Sequence, residues 1–208
     1  MEDNAFPWSL DRVEALILSL YGSKTPEDIA TNQALLADFQ SLPQAWILAR
    51  ELLQRPDEKV RFFGALTIII KLNRERYVGK ARRPSYRLAY SRRSTSLSEE
   101  NAKELLVHLT EWYLDSFQTS DSSLVPRKLS SALATYFVHF HHLWPNHVRH
   151  LIACLLSQRY HDPCNLNVPD EISALLGSFE SNKLRAVLWV ITSVLEDVTK
   201  IDLNTVNK

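Results

Sequence analysis

The chain has 208 residues, enough for one large domain or a short run of stacked repeats. Apolar residues make up 45%, the ordinary share for a chain that buries a core, and 24 acidic against 24 basic residues leave no net charge to draw it to nucleic acid or a membrane surface in general. Four glycines argue against a chain rich in phosphate-cradling loops, tight hairpins or flexible linkers. The N-terminus, MEDNAFPWSL, carries acids where a signal or transit peptide carries bases. The longest apolar run, Phe62 to Ile70, is interrupted by Thr67 and ends at Lys71, short of the roughly 18–20 residues a membrane span needs. Cys154 and Cys164 read as free thiols of a reducing compartment, and the expectation is a soluble intracellular protein.

Taken in order, apolar positions recur at helical spacing and prolines punctuate them. Val13, Leu16, Ile17 and Leu20 form one face of a first helix that stops near Gly22. Thr25 is a natural N-cap before Pro26, and Leu35, Leu36 and Phe39 supply the next face. The chain restarts at Ser41-Leu42-Pro43, with Trp46, Ala49, Leu52 and Leu53 inward, and Arg55-Pro56 breaks it again. The stretch FFGALTIII is rich in β-branched residues and short enough for a buried strand. Charged positions continuing on both sides (Lys59, Arg61, Lys71, Arg74) favour a helix over 58–73, apolar on nearly all sides and packed between neighbours.

Residues 76–96 are arginine-rich, carry no acid and show no helical stripe. Ser98-Glu99-Glu100 then opens a long helix with Leu105, Leu109, Trp112, Tyr113 and Phe117 inward. Pro126 opens another, with Leu129, Leu133, Tyr136, Phe137 and Phe140. Pro145 starts a segment reaching Gln158, Pro169 a short one, and Leu184, Val187, Leu188, Ile191, Val194, Leu195 and Val198 give a last amphipathic stripe. Helices in pairs of roughly 35–50 residues joined by Pro-containing turns predict an all-α, HEAT/ARM-type α-solenoid of antiparallel helix pairs in a right-handed superhelical stack. One pair cannot bury both its faces, so each must stack on the next, and the expectation is that the solenoid continues past residue 208.

Chemistry-bearing side chains cluster at His139, His141, His142, His147 and His150, with Cys154, His161 and Cys164 beyond. His147 with Cys154, or His142 with His150, are the pairs a turn would bring together. Their spacing is no recognised zinc pattern, and packing and solvation account for them. The acidic sets Asp115 with Asp121, and Glu99, Glu100 and Glu104, fall on solvent faces and helix starts, where carboxylates favour the helix dipole. No nucleophile motif, phosphate loop or metalloprotease helix occurs, so no catalytic, cofactor-binding or metal-binding residue is expected.

VEALILSLYGS (13–23) followed by NQALLADFQSLPQAWILARELLQ (32–54), then VRFFGALTIIIKLN (60–73), with a tryptophan three residues after the inter-helix Pro43, together resemble the N-terminal domain of the importin-β superfamily of karyopherins. The likeness is nearest the importin-thirteen and transportin-three branch, where an LY turn, a PQAW turn and an FFGA helix occur in the same order, and its strong part covers about residues 10–73. The resemblance implies HEAT repeats over 7–75, a basic irregular insertion over 76–96 and further helix pairs over 97–205. It also implies a nuclear transport receptor that binds Ran in its GTP state and shuttles between nucleus and cytoplasm as a monomer. Cargo proteins would bind mainly through repeats missing here, and nuclear-pore proteins are further partners. Family members run several times longer, so the chain reads as a fragment, with much of 76–96 a translated intron or a lineage-specific loop. The Ran-facing helices implied are 26–40, 58–73 and 126–142, and their outward positions are Asp28, Asn32, Lys59, Lys71, Arg127, Lys128 and Ser131. Two other readings stay open: a helical-repeat adaptor that binds protein segments without Ran dependence, and RNA binding through 76–96.

Overall fold

The computed structural model describes residues 8–22, 25–80, 97–119, 122–166 and 179–206. The protein is all-helical: the described elements are eight α-helices and one 3-10 turn, with no strand among the described residues. No described helix is long and apolar enough to cross a membrane. The chain divides into two compact units, 1–71 and 72–208.

The first unit holds α1 (Leu10–Gly22), α2 (Pro26–Ser41), α3 (Ala45–Leu53) and the first half of α4 (Glu58–Lys80). The Thr25 cap forms as the sequence indicates, its hydroxyl accepting from Asp28 N–H at 3.2 Å with Pro26 in the first turn. Ser9 plays a similar part for α1, accepting from Arg12 N–H at 3.2 Å. Near the α1–α2 turn, Asn32 Nδ2 donates to Ser19 Oγ at 3.1 Å, while Trp8, just before α1, packs on Phe39 near the end of α2, so the two helices run antiparallel. Val13, Ile17, Leu36, Phe39, Ala45, Leu52, Val60 and Phe63 form the core, with Phe39 stacked on Phe63 at 6.5 Å and Trp8 tilted against it at 5.7 Å. Trp46, expected inward, is only half-buried; Ala45, one position earlier, takes its place because a small side chain lets α3 approach the cluster.

The helical reading of FFGALTIII holds. Two polar links fix α4: Gln40 Nε2 donates to Thr67 Oγ1 at 3.1 Å, and Thr67 in turn donates to Phe63 O at 2.9 Å. Arg55 ties the end of α3 to α1 through Asp11 (Nη2–Oδ1, 2.7 Å) and Glu14, whose Oε2 lies 2.9 Å from Nε without the alignment of a hydrogen bond. The helix runs on to Lys80, because Arg, Glu and Lys need no apolar stripe to continue one. It thereby takes in the first residues of the segment expected to be irregular, and 81–96 lie outside the described residues.

The second unit holds α5 (Glu99–Thr119), α6 (Leu124–Phe140), a 3-10 turn (His141–Leu143), α7 (His147–Ser157) and α8 (Ser181–Val206). Ser98 Oγ accepts from Asn101 N–H at 3.2 Å, capping α5 where Ser98-Glu99-Glu100 indicates. Pro126 sits within the first turn of α6 rather than opening it, where its missing N–H costs no helical bond. Tyr136 OH donates to Ala102 O at 2.9 Å, joining the end of α6 to the start of α5, so this pair is antiparallel. Along α6 and α8, Arg127 lies over Trp189 and Thr135 donates to Asp197 at 3.4 Å, an equal offset at both points, so these two run parallel. Tyr113 OH donates to Ala186 O at 2.7 Å and locks α5 onto α8. An antiparallel hairpin with α8, the next helix but one, laid parallel to its second member is compatible with HEAT-like stacking. The short helix expected after Pro169 falls outside the described residues.

Candidate protein-binding surface

In the first unit the candidate residues divide by burial. Asp28 is exposed in the first turn of α2, where its carboxylate favours the helix dipole. Asn32, one turn later, is half-buried and committed to Ser19. Lys59 is exposed at the start of α4, with Nζ 5.1 Å from the centroid of the Tyr21 ring. Lys71 corrects its expected outward placing: it is 7% exposed, and its Nζ donates to Leu42 O at 2.9 Å. That carbonyl lies just past the end of α2, where backbone acceptors lack helical partners, and the lysine satisfies it. Lys71 is a helix-end clamp and not a surface contact.

In the second unit Arg127 is exposed, Lys128 and Ser131 are half-buried, and Ser130 and Ser131 both donate to the Arg127 carbonyl at 2.7 and 3.2 Å. The guanidinium of Arg127 sits 5.4 Å from the Trp189 ring centroid, and that of Arg185 sits 5.8 Å from the same ring. Two cations on one indole form an electropositive, aromatic-backed patch. Trp189 and Arg185 were not among the residues expected from the sequence, although their i, i+4 spacing on a helix is visible there. Between the ends of α5 and α7 and the start of α8 lies a groove of about 290 Å³, floored by Phe117 and Leu155 and rimmed by Gln118, Gln158 and Lys183. Gln118 Nε2 donates to Gln158 Oε1 at 3.2 Å, and Gln158 holds a left-handed backbone (φ 54°) where α7 stops.

The histidine cluster resolves into a buried lock. His150, fully buried, accepts from Trp144 Nε1–H through Nδ1 at 2.9 Å. Its proton is therefore on Nε2, which donates to His161 O at 2.7 Å. Burial pushes its pKa down to about 4, the His161 carbonyl bond opposing in part. Cys154 Sγ lies 3.4 Å from the same Nε2, but that nitrogen bears the proton and so cannot act as a base toward the thiol. Burial pushes the Cys154 thiol up to about 11, which keeps it protonated. Ser157 donates to Ala153 O at 2.8 Å and is 2.6 Å from His161 Nε2, so the ring N–H donates to it and the serine is not activated. Of the pairs expected from spacing, His147 packs on Phe137 (ring centroids 4.0 Å apart) and His142 is exposed. No group of three or more potential ligands converges among the described residues. Alkylation of the native chain with iodoacetamide is expected to modify exposed Cys164 and spare Cys154, with both reacting in denaturant; mass spectrometry counts the adducts, and rapid native labelling of Cys154 would contradict the burial.

Comparison of the chain with protein-family models, with curated proteins and with solved structures finds no match.

Proposed function

We propose that this chain is the N-terminal part of a nuclear transport receptor, that it binds the GTP form of Ran, and that it takes part in protein transport between nucleus and cytoplasm. The observation that carries the reading is the ordered series VEALILSLYGS, PQAW and VRFFGALTIII, whose apolar residues supply much of the first unit's core. The exposed charges Asp28, Lys59 and Arg127 are the contacts proposed; Lys71 drops out of the set. They would pair with the GTPase switch segments, which are ordered only while the γ-phosphate is held. Affinity for one nucleotide state over the other is then the mechanism, and by linkage Ran-GTP and cargo each shift the occupancy of the other.

The test is a pulldown of the purified chain against Ran loaded with a non-hydrolysable GTP analogue and, separately, with GDP. Retention of the GTP form alone is expected, reduced roughly 5- to 10-fold by Lys59→Glu or by Arg127→Glu. Equal retention, or none, by a chain that circular dichroism shows to be helical would leave the adaptor reading in its place.

A further inference from the structure

Two cations share one indole where the start of α6 meets α8. Arg127 on α6 and Arg185 on α8 each place a guanidinium over Trp189, 5.4 and 5.8 Å from the ring centroid. Both arginines are exposed, and among the described residues neither forms an ion pair. The ring, not a carboxylate, holds these like charges together, so most of their N–H groups are left to an incoming acceptor. Arg185 spends one of its own on Asn182 Oδ1. The patch is continuous with the groove between α5, α7 and α8. Phe117 both floors that groove and stacks on Trp189 at 6.1 Å, and Asn182 both lines it and holds Arg185. Lys183 adds a third cation to the lining, and Glu180 is the one acid among the described residues there.

We propose that this surface docks an acidic, extended segment of a partner protein, with two carboxylates over Arg127 and Arg185 and a neighbouring apolar side chain in the groove. The shared centroid puts the two guanidinium carbons at most about 11 Å apart. Side chains two or three residues apart on an extended chain are spaced about 7–10 Å, which matches. Each planar fork can take a carboxylate through two N–H groups, and its position over the ring limits the freedom lost on binding. Phe117 and Leu155 give the apolar side chain its floor. Glu180 repels acids from the groove itself, so the carboxylates lie toward Trp189 and the apolar residue toward Leu155. Nucleic acid fits less well. Two or three cations neutralise few phosphates, and an indole already carrying Phe117 and two guanidiniums offers little face for a base to stack on. The inference goes beyond the Ran reading and does not rest on it: Arg185, Trp189 and the groove are no part of the proposed Ran contacts.

Fluorescence anisotropy tests it, with the full chain titrated into a panel of dye-labelled synthetic peptides. In each peptide two glutamates, two or three residues apart, precede a phenylalanine at varied spacing in a serine and glycine background. Saturable binding of at least one peptide is expected, with Kd on the order of 10–100 µM. Arg185→Glu should weaken that peptide roughly tenfold or more by opposing like charges, and glutamine in place of its glutamates should do the same. Serine in place of its phenylalanine should cost roughly tenfold. Glu180→Gln should tighten binding about twofold by removing the repulsion. Arg185 is exposed, so its substitution should leave the fold intact, which circular dichroism checks. No saturable binding by any peptide would overturn the proposal. So would binding that Arg185→Glu leaves unchanged, which would move the acidic segment to other cations such as those of 76–96. A single-stranded oligonucleotide that binds more tightly than every peptide, and is lost with Arg185→Glu, would overturn it in favour of nucleic acid.

Discussion

Lowering the pH from about 6.5 to about 4 is expected to remove on the order of 3 kcal/mol of stability from the second unit through His150 alone. Above 6.5 the imidazole is neutral in both folded and unfolded chains and contributes no pH dependence. Between the two values the unfolded chain takes up a proton that the folded one refuses, so stability falls as pH falls; below about 4 both are protonated and the loss is complete. Refusal has a structural cause: Trp144 already donates to Nδ1, so a second proton there would break that bond inside a fully buried site. His147, half-buried against Phe137, is pushed the same way by burial and adds with the same sign. Urea unfolding followed by tryptophan fluorescence at pH 7 and pH 5 should show a difference of roughly 2 kcal/mol for the native chain. His150→Leu leaves the Trp144 N–H and the His161 carbonyl without their partner, at roughly 1–3 kcal/mol each, and should lower stability at pH 7 by about 2–5 kcal/mol. The variant's remaining pH dependence should be clearly shallower. Equal slopes for the two proteins would mean that His150 titrates normally and that the lock is not closed in solution.

That lock shows where the sequence was legible and where it was not. Helices, caps and breaks follow local rules, so Thr25-Pro26, Ser98 and the Pro43 restart could be placed from neighbours within four residues. The FFGALTIII ambiguity fell to the helix for the same reason, since charges on both sides kept the helical register. What failed was anything decided by an element distant along the chain. Lys71 looked like a solvent-facing charge, but its Nζ meets a carbonyl 29 residues earlier, which no periodicity reveals. In α8 most apolar residues belong to one broad arc, and the pattern cannot say which part of it the rest of the unit covers. The structure turns the small Ala186 with Val187, Val190 and Val194 inward and leaves Leu184, Leu188, Leu195 and Val198 out. In the histidine cluster spacing pointed to His147 with Cys154 or His142 with His150, whereas the structure sets His150 beside Cys154. The Trp144 and His161 contacts that set its tautomer depend on the 3-10 turn and the loop after α7. Of the candidate binding residues, sequence spacing gave positions on helices, whereas burial, which separates Lys71 from Lys59, came only with the packing.

Packing of that kind also gives two glycine substitutions opposite signs. Alanine at either Gly22 or Gly64 gains helix propensity worth about 1 kcal/mol, because glycine loses more backbone freedom on folding. At Gly22, the last residue of α1, an added Cβ meets nothing within 4 Å, and no described glycine has a positive φ, so Gly22→Ala should be neutral or stabilise by up to about 1 kcal/mol. At Gly64, in the middle of α4, the same Cβ would lie 2.9 Å from Ala49 O, 3.1 Å from Leu52 Cβ and 3.2 Å from Leu53 Cγ. The nearest of these is backbone, so relief requires moving α3 and not merely turning a side chain, and α3 carries the buried Ala45, Ala49 and Leu52. Overpacking of this sort costs about 1–3 kcal/mol or more, which exceeds the propensity gain. Gly64→Ala should therefore lower the stability of the first unit by about 1–2 kcal/mol, and Gly64→Leu by more than 3 kcal/mol, where it folds at all. Thermal melts of the two alanine variants beside the parent decide the matter. A Gly64→Ala chain that melts as high as Gly22→Ala would mean that α3 and α4 are not in close contact at Gly64 in solution.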